Sequence, residues 1–148
     1  MKVMRSGVDP EAFFASLRGV THRALLLDYD GTLAPFRVER DLAGPYPGVL
    51  PALRRILTAP GCRLAIISGR SLEDIERLIG IGPPLELWGS HGWERRDPEG
   101  GTRRWPLGEA QLRGLATAWD KAVRMGVADR CEAKPAGLAL HWRGIPEE

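Results

Sequence analysis

The chain has 148 residues, of which 43% are hydrophobic and five are tryptophan, enough apolar material for one folded core with a small appendage. Its 21 lysines and arginines are interspersed with 19 acidic residues, and the net charge is only +2. This balance favours neither nucleic acid nor a membrane surface as a partner, because both call for a concentrated basic face. No apolar run reaches the length of a membrane span, and the first residues lack the apolar segment of a secretion signal, so we expect a cytoplasmic protein.

Strand and helix patterns alternate along the first part of the chain. A short helix is predicted over residues 10–17, followed by a strand over 24–28 whose unbroken apolar run is typical of a parallel strand covered on both faces. Apolar residues recur at helical spacing over 47–58 and predict a second helix, and residues 63–67 repeat the buried-strand pattern. This order is typical of a crossover between parallel strands.

A third helix and a third strand extend the pattern. Residues 71–74 have the sequence of a capping box and predict a helix that ends near Gly80. The run 85–88 predicts a short strand that ends in the turn 89–92. The sequence therefore predicts an α/β fold with a Rossmann-like, mainly parallel sheet.

The C-terminal part predicts a smaller α/β unit. Residues 93–105 predict a hairpin that links this unit to the first part of the chain, and residues 109–125 predict an amphipathic helix within it. Two alternating segments, 130–134 and 138–143, are joined by a Pro-Ala-Gly turn and predict a second hairpin with one charged and one apolar face. We expect the helix to cover the apolar face of this hairpin through Leu112, Leu115, Trp119 and Val123.

Polar residues follow each of the three predicted parallel strands. Asp28 ends the first strand, Ser68 follows the second, and the turn 89–92 follows the third. Ligands of such sheets bind beyond the carboxyl ends of the strands. We therefore expect these three groups to converge on one site.

The segment that begins at Asp28 has the residues that phosphoryl transfer requires. A carboxylate at a strand end is a competent nucleophile toward phosphorus when a cation neutralises both it and the phosphate, and Asp28 is the candidate. Asp30, two residues later, can protonate the leaving alcohol and then deprotonate the attacking water. The pattern indicates transfer through an aspartyl-phosphate.

The same two loops offer groups that bind phosphate. Gly31 lets the backbone approach an anion closely, and Thr32 offers a hydroxyl. Ser68, the amide of Gly69 and the N-terminus of the helix that follows can bind the phosphoryl oxygens. Arg70 completes this predicted phosphate-binding set.

Each of these signals has a simpler interpretation when it stands alone. An Asp-x-Asp-Gly sequence is often a turn or part of a calcium loop, Ser-Gly-Arg before a helix is usually an N-cap, and a single histidine such as His91 is more often structural. A calcium loop needs further oxygen ligands at regular spacing, and residues 32–36 supply almost none. The joint placement of the signals at strand ends favours phosphoryl transfer.

Two of these stretches resemble a known superfamily. LLDYDGTLAP (residues 26–35) and IISGR (66–70) resemble motifs I and II of the haloacid-dehalogenase superfamily of phosphotransferases. Within it, the tyrosine of the first motif, GSHGWE (89–94) and CEAKPAGLALHWR (131–143) resemble the trehalose-6-phosphate phosphatases. The resemblance implies a magnesium-dependent phosphatase that converts trehalose-6-phosphate to trehalose and phosphate.

The resemblance also implies a domain organisation and roles for the core residues. It implies a core of the haloacid-dehalogenase type over residues 1–106 and a partial α/β cap over 107–148. Asp28 is then the nucleophile and a Mg²⁺ ligand, Asp30 is the general acid/base and binds Mg²⁺ through its carbonyl, and Ser68 binds phosphate.

Sugar recognition would fall mainly on the cap. The resemblance assigns it to Glu132 and Lys134, with His91 and Glu94 shaping the pocket. The alternation of the predicted hairpin adds two candidates for substrate binding on its charged face, His141 and Arg143. Related phosphatases of sucrose phosphate or mannosyl-phosphoglycerate share the core motifs, so the identity of the sugar phosphate stays open.

The sequence lacks two features that the resemblance leads one to expect after the cap. These are a lysine that steadies the nucleophile and a glycine-aspartate pair that completes the magnesium site, whereas the lysines present are Lys2, Lys121 and Lys134. We favour a truncated piece of a longer phosphatase, inactive or poorly active alone, whose first strand is an unpaired hydrophobic edge. The alternatives are a catalytically inactive sugar-phosphate-binding or regulatory module, and a site completed by a second chain.

Overall fold

The computed structural model describes Gly7 and residues 9–141, and its elements follow the predicted order. The α-helices of this part are α1 (Pro10–Ser16), α2 (Val49–Leu57), α3 (Leu72–Ile79) and α4 (Glu109–Arg124). The strands are β1 (Arg23–Asp28), β2 (Cys62–Ile67), β3 (Glu86–Gly89), β4 (Glu94–Arg96), β5 (Thr102–Arg104), β6 (Cys131–Lys134) and β7 (Gly137–Leu140).

Five strands form one sheet in the order β1-β2-β3-β4-β5. The first three are parallel, and β4 and β5 extend the sheet as an antiparallel hairpin. Strands β6 and β7 pair with each other in a separate sheet, called the cap hairpin below. The predicted α/β fold with a parallel central sheet is confirmed, whereas the domain division at residue 106 stays a prediction.

Helix α3 shows why these elements form where they do. Its N-cap Ser71 accepts a hydrogen bond from the amide of Asp74 at 3.1 Å, and Gly80 ends the helix with a φ of 59°. The side chains of Leu72, Ile75 and Ile79 lie on one face and are buried in the core. Local capping and spacing thus fix the helix that follows the second predicted phosphate loop.

Strand β1 departs from its predicted burial. The prediction that both its faces are covered is wrong for the described residues, since Leu25 and Leu26 are 36% and 59% exposed. Both residues line an open, largely apolar groove of about 350 Å³ at the β1 edge of the sheet. Within residues 9–141, β1 pairs only with β2, in agreement with the predicted hydrophobic edge.

The cap hairpin and α4 lie together, but not through the predicted residues. Helix α4 contacts β7, and Ala122 is its buried side chain while Leu115 is half-buried. The other predicted covering residues are exposed: Leu112 by 53%, Trp119 by 40% and Val123 by 54%. Each strand of the hairpin has four residues, so it covers only a narrow stripe of the helix.

None of the helices described in residues 9–141 is both long and apolar enough to cross a lipid bilayer.

Candidate active site

The register of the parallel strands brings the predicted site residues to one edge of the sheet. Asp28 pairs with Ile67, and Ile67 pairs with Trp88. Asp28, Ser68 and Gly89 therefore lie at the ends of three adjacent strands. The convergence expected from the sequence is confirmed.

The loop after Asp28 is a tight turn. The carbonyl of Tyr29 accepts hydrogen bonds from the amides of Thr32, Leu33 and Ala34, at 3.3, 2.9 and 3.0 Å. The carboxylate of Asp28 is exposed, and the Oγ1 atom of Thr32 lies 3.5 Å from its Oδ2 atom. The turn thus presents Asp28 to solvent with a hydroxyl beside it.

Glycine is required at position 31 of this turn. Gly31 has a φ of 85°, and a β-carbon there would lie 2.6 Å from Cε2 of Phe36. Glycine therefore permits both the left-handed backbone and the close approach of the aromatic ring.

Tyr29, between the two aspartates, anchors the loop to the interior of the protein. Its side chain is fully buried, and its hydroxyl donates a hydrogen bond of 2.7 Å to the carbonyl of Ala43. Burial raises the pKa of Tyr29 to about 12, opposed by the charge of Arg70 and aided by that of Asp30. The hydroxyl thus stays protonated and links Tyr29 to Ala43, 14 positions later in the long loop that follows β1.

The structure places Arg70 on Asp30. Its Nε and Nη2 atoms donate to the two carboxylate oxygens of Asp30, at 2.8 and 2.7 Å, and its Nη1 atom donates to the carbonyl of Arg40 at 2.9 Å. The side chain of Arg70 is only 2% exposed. Sequence analysis assigned Arg70 to phosphate, but a buried guanidinium needs a carboxylate partner, and this geometry favours a role in orienting Asp30.

Ser68 and Gly69 form the second loop of the site. Ser68 is buried, and its Oγ atom accepts a hydrogen bond from the amide of Arg70 at 3.1 Å, which leaves the hydroxyl hydrogen to donate to a ligand. The imidazole of His91 lies directly against Gly69, where a β-carbon would be 2.5 Å from Cε1 of His91. Gly69 thus makes room for the histidine.

The turn after β3 has an uncommon backbone. Ser90, His91 and Gly92 have φ angles of 50°, 56° and 93°, in the left-handed region that non-glycine residues rarely adopt. The amide of Ser90 donates to the carbonyl of Arg70 at 2.6 Å, and that of His91 donates to the carbonyl of Ser68 at 3.0 Å. These hydrogen bonds hold the strained turn against the second loop, which is a common arrangement at functional sites.

Glu94 lies behind this turn, away from solvent. It is almost fully buried and accepts hydrogen bonds from the hydroxyl of Ser90 at 2.8 Å and the amide of Leu72 at 3.2 Å. The Nε atom of Arg104 lies 2.7 Å from its other carboxylate oxygen. Of the predicted pocket residues, Glu94 thus supports the turn that carries His91 and does not face the surface.

The charged face of the cap hairpin is organised around Glu132. Its carboxylate pairs with Nζ of Lys134 at 2.6 Å, with Nε2 of His141 at 2.8 Å, and with Nη1 of Arg40 from the core. Burial alone would raise the pKa of Glu132, but these hydrogen bonds outweigh it and lower the pKa to about 2. The structure therefore brings together three of the predicted substrate-binding residues, whereas Arg143 lies outside the described residues.

A cleft separates the turn after β3 from the cap hairpin. A small cavity of about 110 Å³ lies there, lined by Ser90, His91 and Trp93 on one side and by Lys134 and the hairpin turn on the other. The predicted residues His91 and Lys134 thus face the same space. The wall with Ser90 and His91 is hydrogen-bonded to the loop of Ser68, because the amide of His91 donates to the carbonyl of Ser68.

The donors for the magnesium ion implied by the resemblance are few. Across residues 9–141, no three side chains of His, Cys, Asp or Glu form a cluster that could hold a metal ion. Asp28 offers an exposed carboxylate, whereas the carboxylate of Asp30 is bound by Arg70, so that Asp30 has its main-chain carbonyl to offer. Mg²⁺ commonly takes one or two carboxylates together with substrate phosphate and water, and these donors fit that minimum.

Sequence reasoning missed two residues of the site. Arg40 contacts the cap hairpin, yet a single arginine in a polar loop usually indicates a solvated surface. Tyr29 served only as a mark of resemblance, and its anchoring hydrogen bond to Ala43 spans 14 positions. No local pattern indicates either contact.

Comparison with known proteins agrees with this geometry. The family described as Trehalose-phosphatase matches residues 26–143. Trehalose-phosphate phosphatases from Mycobacterium leprae and Mycobacterium bovis are 34% and 39% identical to this chain over 128 and 130 residues, in each case 84% of the chain but 29% and 32% of the relative. The solved structure of Aspergillus fumigatus trehalose-6-phosphate phosphatase matches with a TM-score of 0.64 at 26% identity. The match covers 93% of this chain and 52% of the solved chain.

The extent of these matches fixes what they mean for this protein. The chain spans about a third of the length of these curated relatives. The family match covers most of the chain, from the segment with Asp28 and Asp30 to the cap hairpin. The chain therefore belongs to the trehalose-phosphatase family.

Proposed function

We propose that this chain carries the catalytic aspartates and the sugar-reading hairpin of a magnesium-dependent sugar-phosphate phosphatase. The substrate that we propose is trehalose-6-phosphate, which would be converted to trehalose and phosphate in trehalose biosynthesis. One observation carries the proposal: Asp28 lies at the same sheet edge as Gly89, and the turn after Gly89 forms one wall of a cleft whose other wall carries Lys134. The family membership of the chain supports it.

In the proposed reaction, the carboxylate of Asp28 attacks the phosphorus atom. The bond from phosphorus to the sugar oxygen breaks, and Asp30 gives a proton to that oxygen, so that free sugar and an aspartyl-phosphate form. Water then attacks the phosphorus of the aspartyl-phosphate and Asp30 takes a proton from the water. The bond from phosphorus to the Asp28 oxygen breaks, so that phosphate is released and the carboxylate of Asp28 is restored. Arg70 occupies one lone pair on each oxygen of Asp30, and the remaining lone pairs can serve this proton transfer.

Phosphate binding is assigned to the two loops at the strand ends. The proposed ligands are the backbone around Gly31, the hydroxyl groups of Thr32 and Ser68, and the amide of Gly69. Mg²⁺ would be held by the carboxylate of Asp28 and the main-chain carbonyl of Asp30, and when bound it would neutralise charge between the carboxylate and the phosphate. We propose that further ligands come from a following segment or from a second chain.

Sugar recognition is assigned to the cleft. Glu132 and Lys134 offer an acceptor and a donor for sugar hydroxyls, His91 faces Lys134 across the cavity, and His141 holds the carboxylate of Glu132 in place. Trehalose-6-phosphate is favoured over other sugar phosphates by the family match alone. The compartment that we propose is the cytoplasm, since a charged sugar phosphate does not cross a bilayer unaided.

A second function is favoured by one observation. The described residues hold no three-residue metal cluster, which suits a sugar-phosphate-binding or regulatory module that has lost catalysis. The two functions differ in whether bound substrate is hydrolysed. A module of this kind would bind trehalose-6-phosphate and release no phosphate from it.

The test is phosphate release from trehalose-6-phosphate with and without Mg²⁺, in a form of the protein that has the complete site and in Asp28→Asn of that form. We expect the substitution to abolish release and to leave the circular dichroism spectrum unchanged, because it removes the attacking charge but keeps the shape of the side chain. Retained turnover in Asp28→Asn would show that another group is the nucleophile. Binding of trehalose-6-phosphate without release by the form with the complete site would favour the binding module.

A further inference from the structure

We propose that Arg40 is a positioning residue that holds the cap hairpin on the core and fixes the orientation of Glu132. The inference rests on the proposed function only where it concerns the reading of the sugar by Glu132. The holding of the cap hairpin stands on the contacts of Arg40 alone.

The contact joins two distant parts of the chain. Arg40 begins the single helical turn Arg40–Leu42 in the long loop after the first motif, and its Nη1 atom pairs with the Oε2 atom of Glu132, 92 positions later. The two side chains are 29% and 30% exposed, so the pair is partly shielded from water. Such a pair closes a long loop of chain between core and cap.

The core end of this contact is fixed. The carbonyl of Arg40 accepts a hydrogen bond from Nη1 of the buried Arg70, whose other nitrogens hold Asp30. A continuous series of contacts thus runs from Asp30 through Arg70 and Arg40 to Glu132. The loop that carries Arg40 therefore cannot drift from the site without breaking a buried hydrogen bond.

The cap end of the contact explains why Arg40 matters more than the other two partners of Glu132. Lys134 and His141 also pair with Glu132, but both belong to the cap hairpin or its immediate end, so they cannot hold the hairpin to the core. They do fix the rotamer of Glu132, so that less side-chain entropy is lost when the pair with Arg40 forms. Arg40 thus adds a link to the core to a carboxylate that its own hairpin has already ordered.

Hydrogen exchange of the hairpin amides measures this holding directly. A partly exposed pair of this kind contributes enough that Arg40→Gln should speed exchange over residues 131–140 about fivefold, with no change over α3. The matched control is Arg77→Gln, which removes an exposed pair with Asp41 on the same loop that does not reach the cap. Unchanged exchange in Arg40→Gln, or an equal change in Arg77→Gln, would overturn the proposal.

A double-substitution cycle tests whether Arg40 acts through Glu132. In a background of Glu132→Gln, the added Arg40→Gln should leave hairpin exchange within about twofold, because the partner is already lost. Arg40→Lys keeps the charge and should restore part of the protection that Arg40→Gln removes. Fully additive effects, or no restoration by lysine, would contradict the positioning role.

Kinetics separate this inference from the proposed function. In a form that hydrolyses trehalose-6-phosphate, Arg40→Gln should raise KM for the sugar phosphate about threefold or more and leave kcat and the constants for an aryl phosphate unchanged, since only the sugar uses the hairpin. An unchanged or lower KM would show that Arg40 does not orient Glu132 for substrate. If no sugar phosphate is hydrolysed, the proposed function fails, and the hydrogen-exchange result still decides whether Arg40 holds the hairpin.

Discussion

Arg70 holds both carboxylate oxygens of Asp30, with its Nε atom 2.8 Å from Oδ2 and its Nη2 atom 2.7 Å from Oδ1. The guanidinium also lies over the ring of Tyr29, with 5.5 Å between the Cζ atom and the ring centroid. One buried side chain from the second motif therefore fixes the second aspartate of the first motif. This fixed geometry is what a general acid/base requires if it is to meet the leaving oxygen.

Replacing Arg70 by lysine tests the importance of this fork. Lysine keeps the charge but not the planar pair of donors, and it leaves part of the Asp30 carboxylate and the carbonyl of Arg40 without partners in a buried place. We expect Arg70→Lys to lower the free energy of unfolding by about 2 kcal/mol in urea unfolding. Arg77→Lys, in an exposed ion pair, should lower the free energy of unfolding far less, and equal costs would contradict a special role for Arg70.

The cap residues should affect the two kinds of substrate differently. Glu132→Ala or Lys134→Ala removes a partner of sugar hydroxyls but leaves the phosphate loops intact. In a form that hydrolyses both substrates, we expect kcat/KM to fall about 10- to 100-fold for trehalose-6-phosphate and to change little for an aryl phosphate. Glu109→Ala, at the start of α4, is the control and should leave both unchanged. Equal losses for the two substrates would mean that Glu132 and Lys134 only support the fold.

What the sequence predicted correctly depends on local signals and on one topological rule. Helix α3 carries its own start and stop, at Ser71 and Gly80, and its buried face is visible in the spacing. Asp28 and Ser68 could be placed together because parallel strands end at the same edge of a sheet. Neither inference needs the position of any distant side chain.

The remaining features depend on contacts that no local pattern encodes. Arg40 meets Glu132 across 92 positions, and both ends of this contact are polar residues that would also suit a solvated surface. Helix α4 exposes Trp119 because the hairpin that it covers is small, and helical spacing says nothing about the size of the partner. The exposure of Leu26 likewise depends on whether another part of a protein packs against β1, and the sequence of the strand does not show this.

The pairs around Glu132 predict how stability depends on pH. The pKa of Glu132 is about 2 in the folded protein and 4.5 in the reference state. A carboxylate whose pKa is lower in the folded state adds stability above the unfolded pKa, and that addition is lost as the pH falls from about 4.5 toward 2. The pKa of Glu86 is also lowered, because hydrogen bonds from Arg63, Arg95 and Trp88 outweigh its burial, so total acid stability does not isolate Glu132.

The difference between the unchanged protein and Glu132→Gln isolates this contribution. We expect the difference in free energy of unfolding at about pH 5 to shrink clearly at about pH 3, since Glu132 is then taking up a proton in the unfolded state. Urea unfolding at the two pH values measures it. A difference that stays constant or grows on acidification would contradict the pairing of Glu132 in solution.

The electrostatics of the described site predict slow catalysis by this chain alone. Of the lysines in residues 9–141, Lys134 is paired with Glu132 and Lys121 lies on α4, so neither steadies the phosphate beside Asp28. Loss of one preorganised donor typically costs about 100- to 1,000-fold in rate. We expect phosphate release from trehalose-6-phosphate to be at least about 100-fold slower than that of the Mycobacterium leprae relative under the same conditions. Comparable rates would require further ligands among the described acidic residues.

The central claim is that a sugar phosphate binds with its phosphate at the strand ends and its sugar against the cap hairpin. Amide chemical shifts of the 148-residue chain, titrated with trehalose-6-phosphate or with inorganic phosphate in the presence of Mg²⁺, test this claim without any need for turnover. We predict that both ligands shift the amides of residues 30–32 and of Gly69, and that only trehalose-6-phosphate also shifts those of the cap hairpin, 131–140. Identical shifts with the two ligands, with the hairpin amides unmoved, would contradict the claim.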